Sequence, residues 1–205
     1  VYLKNLKKVG GVSLVCRAVN VAKAAGLYDV TVSTDHHIIA WEANSCNATI
    51  LHRSPTTASD WAPSIWGAQE FLERRPDLQI LVLIQATSPF ICPEQLRNAL
   101  VKISEPTSFD CVFSVTRSYK LRWVYESDKL TPLNFNISER PRRQNWSGEF
   151  VETGAFYIAR RSLLTKGLFQ NHNCSMVEVP SIYSLEIDSY DDLKLANTLL
   201  EIGLI

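Results

Sequence analysis

The stretch LQILVLIQATSPF (78–90) constrains the fold more than any other part of the chain. Ile80 to Ile84 are apolar without a break, and polar residues follow abruptly at Gln85. A run of that length with no polar alternation reads as a strand covered on both faces, which is the habit of parallel sheets flanked by helices. The rest of the chain supplies such helices. Helical spacing of apolar residues occurs in GGVSLVCRAVNVAKAAGLYD (10–29), HHIIAWEANSC (36–46), APSIWGAQEFLERR (62–75), PEQLRNALVKI (93–103) and SYDDLKLANTLLEIG (189–203). Short strands are predicted between them at VTVSTD (30–35), ATILH (48–52) and DCVFSVTRS (110–118). Strands alternating with helices give an α/β fold with a mostly parallel sheet between helices. Residues 117–150 break the alternation with short aromatic pieces around turns, which predicts an inserted hairpin arm.

The 205 residues suit one domain, and 46% hydrophobic content with five tryptophans excludes a disordered chain. Twenty-one basic residues balance 21 acidic ones, so the basic excess of a dedicated nucleic-acid binder is missing. No apolar stretch reaches the ~18 residues of a membrane helix. The five cysteines show neither zinc-ligand spacing nor a dense disulfide pattern and read as free thiols. The chain opens on Val1, which predicts that the natural start lies upstream. Four N-glycosylation sequons, at Asn47, Asn136, Asn145 and Asn173, point towards the secretory pathway.

Polar residues at the C-terminal ends of two predicted strands, Ser33-Thr34-Asp35 and Gln85-Ala86-Thr87-Ser88, stand where open α/β sheets bind ligands. Glu186 and Asp188 alternate along a predicted strand, so both can face one cation; equally, Asp188 and Ser189 can cap the helix that follows. SERPRRQNWSG (138–148) puts three arginines into four positions. By itself that run suits nucleic acid, a nuclear address, a solvated loop or an anionic substrate.

The ordered set LKN (3–5), VSTD (32–35), HRS (52–54), IQATSP (84–89), RPRRQNW (140–146), ETGAFY (152–157) and EID (186–188) resembles the N-acylneuraminate cytidylyltransferases, the CMP-sialic acid synthetases, in their animal form. The resemblance runs the length of the chain. It implies a single Rossmann-like nucleotidyltransferase domain over residues 1–205, with the 117–150 arm contributing to a homodimer or a dimer of dimers and to the substrate site. The implied reaction converts CTP and an N-acylneuraminate to the CMP-sugar and pyrophosphate, with Mg²⁺ or another divalent cation. The sugar's C2 hydroxyl attacks the α-phosphate in line. A CMP-Kdo or KDN-type synthetase and a catalytically inactive dimeric binding protein are the alternatives.

Carried over by position, the resemblance makes Arg142 catalytic, with Arg143 and Gln144 beside it. Asn5, Arg53, Ser64 and Gln85 would contact the nucleotide, Thr153 and Phe156 would line the sugar pocket, and Glu186 and Asp188 would hold the metal. Glu186 stands where relatives have Asp, and Trp61-Ala62-Pro63 replace a stretch rich in Ser and Thr. The resemblance also implies a first central strand and a phosphate-wrapping loop ahead of LKN. Residues 1–205 alone are therefore expected not to turn over CTP, whereas the full gene product is expected to do so. No nucleic acid is implied. The sequons, with Glu139 where a longer basic run would stand, favour the Golgi lumen over the alternative, the nucleus.

Overall fold

A computed structural model describes residues 1–104 and 109–205. The chain runs β1 (Lys8–Val9), β2 (Val12–Ser13), α1 (Leu14–Ala24), β3 (Thr31–Thr34), α2 (His37–Ser45), β4 (Thr49–His52), α3 (Pro55–Ala58), α4 (Ser64–Arg74), β5 (Ile80–Ile84) and α5 (Pro93–Ser104). It continues with β6 (Cys111–Ser118), β7 (Trp123–Glu126), β8 (Lys129–Pro132), β9 (Glu149–Arg160), α6 (Arg161–Leu164), β10 (Cys174–Glu178) and α7 (Tyr190–Glu201).

Local chemistry sets the helix ends. The Ser13 hydroxyl caps α1 by accepting from the Cys16 amide at 3.3 Å, and the chain leaves the helix through Gly26 at φ +94°. Ser189 and Asp192 form a reciprocal capping box at α7. The hydrogen bonds from Ser189 hold the Asp192 carboxyl below its ordinary range.

The sheet comes in two pieces. β3 and β4 pair in parallel, while β10-β6-β9-β5 form the larger piece. β6 and β10 are parallel, but β9 runs antiparallel to both β5 and β6. The expectation of a mostly parallel sheet is therefore corrected to a mixed one. Glu149–Arg160 carries no strand-like alternation because its second half, AFYIA, lies between β5 and β6, where every side chain but Tyr157 is buried. Phe156 and Ile158 are fully buried there, each contributing roughly 1.5–3 kcal/mol of burial. Among the described residues β3 pairs only with β4 and β5 only with β9, so each keeps an unpaired edge.

Two further expectations change. The cysteines are not all free: Cys16 is bonded to Cys46 and Cys111 to Cys174, leaving Cys92 as a thiol. The first bond joins α1 to the end of α2. The second joins two residues directly opposite in the β6–β10 register, a proximity that sequence spacing does not reveal. The segment carrying Glu186 and Asp188 is extended but is not a strand. It follows a 3-10 turn (Ser181–Ser184), and its backbone bonds the main sheet's side through the Ile187 amide, which donates to the Thr87 carbonyl at 2.9 Å. The alternation nevertheless holds, with Ile187 wholly buried between two outward carboxylates.

The 117–150 region does contain a hairpin, β7–β8, as a separate two-stranded sheet. Left-handed Ser127 and Asp128 make its two-residue turn. Trp123, Tyr125, Leu130 and Leu133 are exposed on and beside it.

Candidate functional site

A cavity of about 690 Å³ lies between the two pieces of the sheet. Apolar residues of α1, β3, α4 and β5 form its depth, among them Val19, Val32, Ala68 and Val82. Polar residues gather where strands β3 and β5 end: Ser33, Thr34, Arg53, Gln85 and Thr87. Asn5 and Lys4, on a 3-10 turn (Lys4–Leu6), and Ser64, which opens α4, also line it, as does Glu186. Of the residues expected from sequence, Asn5, Arg53, Ser64, Gln85 and Glu186 are thus brought together although they span 182 positions.

Each polar group is held in a definite way. The Arg53 guanidinium donates from Nε to Ser33 Oγ at 3.2 Å and from Nη2 to the Ser33 carbonyl at 3.1 Å. That ties the end of β4 to the end of β3. The Gln85 amide nitrogen of the main chain donates to the Ala155 carbonyl at 2.9 Å, which extends the β5–β9 pairing by one residue. Its side-chain amide makes no hydrogen bond within the described residues, leaving a donor and an acceptor directed at a ligand-sized space. Thr87 Oγ1 donates to Glu186 Oε1 at 3.0 Å, fixing that carboxylate. Gly154, at φ +70°, places bare backbone beside Glu186; a Cβ there would stand 3.9 Å from Oε2. Burial and the neighbouring carboxylates of Glu152 and Glu186 push the Tyr157 phenol up to about 12, so it stays protonated and donates to Glu152 at 3.1 Å.

Asp188 does not line the cavity; it accepts from Lys4 Nζ at 2.8 Å across an exposed ion pair. Among the described residues no group of three or more His, Cys, Asp or Glu side chains gathers as a metal site. The oxygen donors present, Glu186 and Asp188 on one side of an extended segment with Thr87 orienting the first, suit a hard cation. Mg²⁺ takes one or two carboxylates and completes its shell with phosphate oxygens and water.

The remaining expected residues lie elsewhere. Phe156 is fully buried in the core, and Thr153 is buried with its hydroxyl 2.6 Å from Ser114 Oγ. Neither side chain lines the cavity: β9 turns both inwards. Arg142, Arg143 and Gln144 are exposed on the arm and do not line it either. Arg143 lies over the Tyr119 ring at 4.9 Å, and the Arg142 side chain makes no hydrogen bond or ion pair within the described residues. By contrast, nearby Arg117 and Arg122 each hold a carboxylate with two hydrogen bonds, Glu178 and Glu149 respectively. Lys4 and Tyr157 are given no role by the sequence, and Thr87 is named there only as part of the polar end of the predicted strand, Gln85 to Ser88. For Thr87 a signal existed: it stands two residues after Gln85 at the polar end of the same buried strand.

Comparison with known proteins agrees with this architecture. The sequence profile described as cytidylyltransferase matches residues 1–198. N-acylneuraminate cytidylyltransferase B of Danio rerio is 37% identical over 190 residues, covering 91% of this chain and 45% of that protein. The N-acylneuraminate cytidylyltransferase of Oncorhynchus mykiss is 38% identical over 191 residues, covering 91% and 44%. The chain thus spans about half the length of the curated relatives it matches. Among solved structures, a CMP:2-keto-3-deoxy-manno-octonic acid synthetase complexed with CTP aligns with a TM-score of 0.72 at 15% identity, covering 97% of this chain and 92% of that one. A 4-diphosphocytidyl-2C-methyl-D-erythritol synthase from Anaerococcus prevotii aligns at 0.67 and 13% identity, covering 96% and 93%. The fold is that of the α/β nucleotidyltransferases.

Proposed function

The chain belongs to the cytidylyltransferase family, and on that premise we propose that the complete protein transfers CMP from CTP to an N-acylneuraminate. The observation that carries the reading is the convergence of Asn5, Arg53, Ser64 and Gln85 on one cavity at the ends of β3 and β5. The sugar's C2 hydroxyl oxygen forms a bond to the α-phosphorus, the bond from that phosphorus to the bridging oxygen breaks, and pyrophosphate leaves while the hydroxyl gives up its proton. Such a transfer asks the protein mainly for positioning and charge neutralisation. Gln85 offers its amide to base or sugar edges, and Arg53 presents its remaining guanidinium face to ribose or phosphate. Arg142, unpaired on the arm, meets the sialate carboxylate or the charge growing on the phosphates. Glu186 and Asp188 would hold a Mg²⁺ ion, which when bound neutralises phosphate charge.

We further propose a homodimer in which a second copy covers the apolar side chains of the arm, Trp123, Tyr125, Leu130 and Leu133. A compartment of the secretory pathway, the Golgi lumen, is proposed for the protein. Two disulfide bonds support an oxidising environment, and the four sequons fit it.

The test uses the full-length protein with CTP, Mg²⁺ and a panel of N-acetylneuraminate, KDN and Kdo. Release of pyrophosphate with formation of the CMP-sugar, greatest for N-acetylneuraminate, is expected. Gln85→Ala and Arg142→Ala should each lower kcat/KM at least tenfold. CTP binding by calorimetry without turnover of any acid would establish a binding protein instead, and preference for Kdo would reassign the substrate.

A further inference from the structure

The four sequons stand in four different local structures, and these structures separate them. Asn145 ends a 3-10 turn (Arg143–Asn145) beside the proposed clamp arginines, and the Ser147 carbonyl accepts from Arg117 at 2.7 Å. Asn173 is tied down: its amide donates to Asn171 Oδ1 at 2.8 Å, its carbonyl accepts from the Asp110 amide at 2.9 Å, and its side chain bonds the Asp110 carboxylate. The hydroxyl of its Ser175 is only half-exposed and takes a bond from Lys102 at 3.5 Å. Asn136 caps a turn on the arm, with Oδ1 accepting from the Ser138 amide at 3.0 Å.

Asn47 differs from Asn136 and Asn173 in its unbonded side-chain amide, and from Asn145 in standing apart from the proposed clamp arginines. It sits at the connection between α2 and β4 with φ +61°, a left-handed bend that Asn adopts more readily than most residues. Its backbone is fixed on both sides: the amide donates to the Asn44 carbonyl at 2.9 Å, and its carbonyl accepts from Lys23 Nζ at 2.8 Å. Its side-chain amide makes no hydrogen bond within the described residues. Asn47 and Thr49 are both exposed, while Ala48 between them is buried in the core. The acceptor amide and the hydroxyl that defines the sequon therefore stand outside together on an anchored backbone. Neither residue lines the cavity.

We propose that Asn47 carries an N-linked glycan. This rests on the lumenal reading of the preceding section. In the step that attaches it, Asn47 Nδ2 forms a bond to C1 of the first sugar of a lipid pyrophosphate-linked oligosaccharide. The bond from C1 to the pyrophosphate oxygen breaks, the lipid pyrophosphate leaves, and the amide loses one proton. The glycan stands at the head of β4, whose outer edge has no partner among the described residues. Bulk there would shield an open sheet edge from pairing with another chain.

The experiment isolates the full-length protein from animal cells and releases glycans with peptide N-glycosidase in heavy-oxygen water. Mass spectrometry of the peptides then reads the label. The expected result is labelled aspartate at position 47, one glycan lost on Thr49→Ala, and the glycan retained on Thr49→Ser. Label at another sequon with Asn47 bare overturns the proposal and leaves the lumenal reading standing. No label at any site, with Cys16, Cys46, Cys111 and Cys174 protected from alkylation until reduction, does the same. No label with these four freely alkylating overturns both.

Discussion

Ser114 and Thr153 form a buried hydroxyl pair where β6 and β9 lose register, between Phe113 and Val115. The Phe156 amide donates to Ser114 Oγ and the Ala155 amide to Thr153 Oγ1, both at 3.3 Å. The two side chains thus serve backbone groups at the bulge that turns Gly154 towards Glu186. Ser114→Ala removes the acceptor for the Phe156 amide, although Thr153 can still donate to the Ser114 carbonyl at 3.4 Å. Thr153→Val keeps the volume and removes the acceptor for Ala155. A buried polar group left without a partner costs about 1–3 kcal/mol, and the fallback bond of Thr153 places Ser114→Ala in the lower half, about 1–2 kcal/mol. For a domain of this size that lowers Tm by roughly 2–8 °C. The double variant removes both hydroxyls at once, so its cost should fall short of the summed single costs by about 0.5 kcal/mol or more. Urea unfolding of the four proteins, read by tryptophan fluorescence, measures the cycle. Additive costs, or single costs below about 0.5 kcal/mol, would refute the claim that this pair satisfies the bulge.

Two further outcomes are expected. Burial pushes the Glu70 carboxyl up, but hydrogen bonds from Thr57 and Ser54 and the charge of Arg74 outweigh it and hold the group below its ordinary 4.5. Its stabilisation is therefore fully present above that value and is lost as pH falls through the lower folded value. The urea midpoint should drop below about pH 4.5 in the parent and less steeply in Glu70→Gln; parallel curves would discount this network. The disulfides close loops of 30 and 63 residues, for which chain entropy gives about 3.6 and about 4.3 kcal/mol. Cys111→Ser with Cys174→Ser should lower the unfolding free energy by roughly 2–4 kcal/mol, and a reductant, which opens both bonds, should lower that of the parent further.

The helices and short strands were legible because their signals are local. Apolar spacing ends α1 at Gly26, and the acidic first turn opens α7. What sequence could not give depends on partners far along the chain. β9 reads as irregular until β5 and β6 stand on either side of it. Cys111 and Cys174 become neighbours only through the register of two strands 63 residues apart. The same limit divides the site. Gln85 reaches the cavity because a polar residue ending a buried strand must emerge into the crevice. Thr153 and Phe156 turn inwards because Gly154 and the bulge decide which way β9 faces, which no local pattern reveals.

The arginine run shows how pairing, more than composition, gives a basic segment its meaning. Arg117 and Arg122 flank the hairpin and are as positively charged as Arg142, yet each is already matched by a carboxylate through two hydrogen bonds. An incoming anion would have to displace Glu178 or Glu149 to reach them. Arg142 has no such competitor within the described residues, and the Tyr119 ring beneath Arg143 offers only its face. An anionic ligand would therefore meet less resistance in the run Arg140–Arg143 than at Arg117 or Arg122. The arm can supply charge to a ligand because only Arg117 and Arg122 are committed to carboxylates that hold the arm together.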